Sequence, residues 1–168
     1  MALAIASAIL PLAGCSVAPT PNNNGAANDN ASANDNAAAE PIFAANYRTT
    51  YTLVRDCRNS IEHGATIRVY ANDVGATAYL AEAETMPVGS ILVKEEFTGI
   101  DCDNDMELVY WAVMKKEAPG YDPEDNDWRF QESGAPDRRI TIDGKASCIE
   151  CHRATECVER DYMCTEGP

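Results

Sequence analysis

Basic residues are scarce in this chain of 168: 13 Lys and Arg stand against 27 Asp and Glu, a formal charge of −14. Phosphate binding runs on basic patches, so this balance argues against a nucleic-acid partner and against a polybasic membrane contact. Histidine is scarcer still. His63 and His152 are the only two, and any imidazole chemistry must use one of them. Long apolar runs are missing as well. The stretch at residues 2–13 (ALAIASAILPLA) falls short of the eighteen or so residues of a membrane-spanning helix, and no Lys or Arg precedes it. Residues 16–41 contain no aromatic side chain, and Val17 is their one larger aliphatic. Such a segment cannot bury enough surface to offset the entropy of ordering, so it reads as a tether.

Leu12-Ala13-Gly14-Cys15 follows the apolar stretch. It resembles the lipobox of bacterial lipoproteins, in which the chain is cut before the cysteine and a lipid is attached to its sulfur. The resemblance implies a signal at 1–14 and a lipidated Cys15 with its tether at 15–41. A folded domain at 42–168 would then sit in the periplasm or cell envelope and meet the membrane through the lipid on Cys15 only. Export signals ordinarily carry a basic first segment, and its absence leads us to expect a true start upstream of Met1. The remaining residues, about 127 of them, suit one domain with a modest core.

Cys148-Ile149-Glu150-Cys151-His152 is a Cys-x-x-Cys-His run, the attachment signature of a c-type haem. In that chemistry each cysteine sulfur forms a thioether with a porphyrin vinyl group, and the adjacent histidine is the proximal iron ligand. Cys148 and Cys151 are therefore the expected attachment points of a single haem c, with His152 on the iron. Attachment outside the cytoplasm agrees with the export signal. Two rivals use the same residues. A thioredoxin-like dithiol would need a following βαβ pattern, and the motif lies too near the chain end for one. A zinc site of Cys148, Cys151, His152 and Cys157 has suitable ligand types but would strand an odd cysteine.

Cys57, Cys102, Cys157 and Cys164 are left over, and in an oxidising compartment four cysteines point to two disulfides with three connectivities. A short Cys157–Cys164 bridge would staple the chain end beside the haem motif, and Cys57–Cys102 follows by elimination. His63, Met106, Met114 and Met163 could fill a second axial position, as an electron carrier requires; an open position suits a catalyst or a gas binder.

Residues 47–54 (YRTTYTLV) read as a first strand or a helix start, and residues 55–65, polar and cysteine-containing, as a loop. Strands are expected at Thr66–Tyr70, Ser90–Phe97, Leu108–Met114 (apolar and therefore central) and Trp128–Gln131. Asn72-Asp73 supplies a turn or cap before a short helix over Gly75–Ala83. The haem motif sits on a helix near Lys145–Arg153. The pattern is that of an α+β domain around a mainly antiparallel sheet with short helices.

An ordered set of segments, ATIRVYAND, MPVGSILVKEEF, a strand ending VMKK, GYDPEDNDWRF and SCIECHRATECVERDYM, is similar to the cytochrome P-460 family, which includes the cytochromes c′-beta. The resemblance implies a monohaem, often dimeric protein. It would oxidise hydroxylamine or a related nitrogen compound and pass electrons to a soluble partner, or bind nitric oxide without turnover. It also implies that Lys94, in Gly89–Glu95, is cross-linked to the porphyrin and that Arg68 lines the haem pocket, both in catalytic roles. The family's distal carboxylate falls at Trp111, which cannot take a proton; either another acid such as Glu107 or Glu95 replaces it, or the protein is slow or inactive toward hydroxylamine.

Overall fold

A computed structural model describes residues 39–144 and 148–164; the expected signal, the expected lipidation site Cys15 and most of the expected tether lie outside the described residues. Six strands form one antiparallel sheet in chain order: β1 (Thr52–Ser60), β2 (Ala65–Ala71), β3 (Ile91–Phe97), β4 (Leu108–Lys116), β5 (Trp128–Gly134) and β6 (Arg139–Asp143). Helices are short: α1 (Tyr47–Thr50), α2 (Asp73–Leu80), α3 (Cys148–His152) and α4 (Thr155–Val158). The fold is α+β, as the sequence indicates. Among the described residues no helix is long and apolar enough to cross a membrane.

Alternation along the strands gives the sheet two buried faces. One face carries Val69, Ala71, Leu92, Met114, Trp128 and Phe130, covered by α2 and by Ile149, Tyr162 and Met163 near the chain end. The other carries Tyr70, Val93, Trp111 and Val113 beneath Phe43 and Tyr47 of the N-terminal segment. Gln131 ties that segment down, accepting from Ile42 N (2.8 Å) and donating to the Glu40 carbonyl (3.1 Å).

The α2 helix begins where Asn72 foretells. Its side chain accepts from Gly75 N and from Ile91 N, both at 3.0 Å, and donates to the Gly89 carbonyl at 2.8 Å. One amide thus caps the helix and fastens it to the turn before β3. Gly89 sits there at φ +88°, where a side chain would be strained. β4 lies inside the sheet between β3 and β5, as its apolar run implies.

Two local expectations change. Residues 55–60, read as loop, continue β1: Arg58, Asn59 and Ser60 pair with Ile67, Thr66 and Ala65. β1 is an edge strand with register shifts and its middle faces water, so no apolar alternation marks it. Residues 47–54 divide between α1 and β1 rather than choosing one. β6, the opposite edge, is not among the expected strands, although RITID at 139–143 alternates polar and β-branched residues in the strand period.

Both expected disulfides are present, Cys57–Cys102 and Cys157–Cys164. The first ties edge strand β1 to the β3–β4 connection across 45 residues. C57S/C102S is expected to lower unfolding free energy by about 2–4 kcal/mol, read by urea denaturation; an unchanged midpoint would show that the edge is held without it.

Candidate functional site

The site forms where the chain end crosses the first face of the sheet. Ile149, 5% exposed, seats α3 in the core, with Cys148 and His152 at its two ends. Just beyond the helix, Arg153 reaches the fully buried Asp125 through Nε and Nη2, both at 2.7 Å. The His152 ring packs edge-on against Phe130 with 5.8 Å between centroids. Its Nδ1 lies 2.6 Å from the Tyr162 carbonyl oxygen. A carbonyl can only accept, so Nδ1 carries the proton and Nε2 keeps its lone pair. Burial lowers the His152 pKa; the Tyr162 carbonyl opposes this and the Lys94 charge adds to it. A neutral imidazole with Nε2 bare is the form that binds a metal.

Cys148 is a half-buried free thiol. Burial pushes its pKa up, while the charge of Lys94 pulls it down. Cys151 is exposed and its sulfur is engaged in a disulfide, a bond that must be reduced before a thioether can form there.

Facing α3 is a polar cluster on β3 and β4. The Lys94 side chain is 17% exposed, and its Nζ lies 2.6 Å from Glu96 Oε1. The same ammonium rests against the His63 ring in the β1–β2 turn, 2.8 Å from Nδ1. Tyr110 donates its hydroxyl to Glu96 Oε2 at 2.5 Å. Burial lowers the Lys94 pKa against the pull of Glu96. Burial, then the neighbouring Lys94 charge, pushes His63 down to about 4. Tyr110 is raised, by burial first and then by Glu96. Lys94 is near enough to act electrostatically on Cys148 and His152, so these three of the expected site residues come together.

Arg68 is not among them. Its neighbour Val69 pairs with Lys94, and Arg68 itself pairs with Glu95, so it projects from the opposite face. There its Nε donates to Glu95 Oε2 and its Nη1 to Asp103, both at 2.8 Å. Arg48 and Tyr47 also bond the Glu95 carboxylate, and Trp111 Nε1 donates to the Tyr47 hydroxyl at 2.7 Å. Trp111 and Glu95 therefore lie away from His152, and Glu107 packs against Gly99. Two acids do face the site: Glu96, 2% exposed, and Glu132 on β5, which acts electrostatically on Cys148 and Lys94. The signal for Glu96 was in the sequence: residues two apart on a strand share a face, so Glu96 follows Lys94. Tyr110 could be placed only once the β3–β4 register was known.

The family model for cytochrome P460 matches residues 44–165. The chain belongs to the cytochrome P460 family. No curated protein matches it significantly. The matched span takes in the whole sheet, the Cys57–Cys102 and Cys157–Cys164 disulfides and the Cys-x-x-Cys-His motif of this P460 chain. Cys157, the fourth ligand of the zinc alternative, is consumed by its bond to Cys164.

His63 generates a pH prediction. A histidine whose folded pKa lies near 4 and whose unfolded pKa lies near the ordinary ~6.5 is held neutral by folding. Its contribution is complete above about pH 6.5 and is lost as pH falls towards 4. Wild-type protein should therefore lose stability relative to H63Q across that window, measured by denaturant titration at stepped pH. Parallel curves would show that His63 titrates normally.

Proposed function

We propose that this chain carries one c-type haem, bound through Cys148 and Cys151 with His152 Nε2 on the iron, and oxidises hydroxylamine or a related small nitrogen compound. The observation that carries the reading is the pairing of two features around one space. His152 has its Nδ1 proton committed to the Tyr162 carbonyl, and it is faced by the Lys94–Glu96–Tyr110–His63 cluster. The donor set suits haem: a neutral imidazole with a free nitrogen, beside cysteines at thioether spacing.

The bound haem supplies an iron that takes up a small nitrogen ligand and accepts electrons from it. Oxidation of hydroxylamine also releases protons, and the chain's own groups deal with these. Glu96 is the acid placed to accept one, with Tyr110 holding Oε2 and Lys94 offsetting its charge. His63 is neutral at physiological pH and sits in an exposed turn, so it is placed to pass a proton towards solvent. Electrons leave to a soluble partner. The lipobox-like segment is what supports a cell-envelope setting with the lipid on Cys15.

Haem should survive denaturation of the wild-type protein as in-gel peroxidase activity and be abolished in C148A/C151A; stoichiometric zinc without a Soret band would overturn the cofactor. E96Q should keep its haem and lose roughly 10²–10⁴-fold in hydroxylamine turnover. Turnover equal to wild type would remove Glu96 from the reaction. Wild-type protein that binds nitric oxide but shows no turnover at high concentration would establish the gas-binding alternative.

The finer reading places a covalent bond between Lys94 Nζ and a porphyrin carbon, formed as one N–H and one C–H bond break and a peroxide takes up the two electrons and two protons to give water. Burial lowers the pKa of this amine, the direction a nucleophilic nitrogen requires. Mass analysis of a digest should find the Lys94 peptide joined to the haem peptide, with the ferrous Soret band shifted to the red. Haem attached through the two cysteines alone would refute the link.

A further inference from the structure

Two consecutive residues after α4, Asp161 and Tyr162, adopt left-handed backbone at φ +54° and +68°. Neither is glycine, and a bulky aromatic residue is rarely found there. Such a conformation persists only where its surroundings over-determine it. Asp161 is what over-determines it. Its side chain, 3% exposed, accepts from Lys116 Nζ at 2.7 and 2.8 Å and from Met86 N at 2.9 Å. Asn126 Nδ2 and Trp128 Nε1 also donate to it, each at 3.1 Å, and Trp128 Nε1 reaches the Asp161 carbonyl at 2.9 Å. Donors from β4, β5 and two connecting segments thus converge on one carboxylate. The next residue's carbonyl is the one that accepts from His152 Nδ1.

We infer that Asp161 is a positioning residue for the iron ligand. Held by Lys116, Trp128, Asn126 and Met86, it fixes the left-handed turn that aims the Tyr162 carbonyl at His152, and so sets the ligand's orientation and its basicity. The inference rests on the haem reading above. The hydrogen bond from Nδ1 raises the electron-donating power of the ring and favours ferric over ferrous iron. Loosening Asp161 weakens that bond without touching either cysteine.

The test compares haem-loaded wild type, D161N, K116M and K116R by resonance Raman of the ferrous iron–histidine stretch and by redox titration. D161N and K116M should retain covalent haem. Their iron–histidine stretch should shift to lower frequency, and their ferric preference should fall by about tenfold, or about 59 mV upward for a one-electron couple. K116R, which keeps a donor on Asp161, should restore both readouts towards wild type. If D161N fails to fold, K116M decides alone. Haem-loaded K116M or D161N with an unmoved stretch and potential would overturn the role of Asp161 while leaving the haem in place. Wild-type protein without covalent haem would overturn both readings at once.

Discussion

The alternation of side chains along β3 is the constraint on which the site depends. Val93 and Glu95 face the N-terminal segment; Leu92, Lys94 and Glu96 face α3 and the chain end. Because β3 is paired on both sides, a slip of one residue would exchange these sets completely. Lys94 would then meet Tyr47 and Phe43, and the Glu95 carboxylate would replace Glu96 before His152. Burial on both faces specifies the register: Val93 has no exposure in one core and Leu92 has 6% in the other.

A chain this acidic can bury carboxylates only where each meets a cation, since an unpaired buried charge costs several kcal/mol. Four do so here. Glu95 is held by Arg48 and Arg68, Glu96 by Lys94, Asp125 by Arg153 and Asp161 by Lys116. The last three lie around α3 and its facing strands, whereas the first braces the opposite face. A buried ion pair is weak evidence for stability compared with apolar packing, but it is specific in geometry. Three such pairs near one histidine are better explained by the need to place groups than by the need to hold the sheet together.

The legible parts of the fold were those with dense local signals. Asn72 announced α2, four strands showed apolar or β-branched runs, and the short Cys157–Cys164 interval suggested one bridge, the other following by elimination. The outer half of β1 was not legible, because an edge strand in water needs no apolar alternation, whereas β6 carries an alternation too short to stand out from the loops around it. In the site, the motif at Cys148–His152 and the side of the sheet taken by Lys94 could be read directly. Arg68 lies on the face opposite Lys94, and its separation of 26 residues from Lys94 spans a helix and a turn, so spacing carries no information about face. Glu96 was within reach of the two-residue rule, while Tyr110 and Asp161 depend on strand register and a left-handed turn, neither of which composition encodes.

The two histidines are held in contrasting ways, and the contrast suits the different roles proposed for them. His152 is fastened on every side: Ile149 in the core, Phe130 against the ring, Tyr162 on Nδ1, and the Cys157–Cys164 bridge around the turn that supplies Tyr162. His63 sits in a turn beside Ile61, which is 78% exposed, and its close partner is the Lys94 ammonium. A metal ligand must be kept within a fraction of an ångström, because its bond is directional and its neighbours set its basicity. A proton-passing group must instead reach both an internal partner and water, and a neutral ring at the rim of the cluster does so at little cost in ordering. The sheet supplies both conditions by closing one side of the space with a stapled chain end and leaving the other to a four-residue turn, Ile61–Gly64.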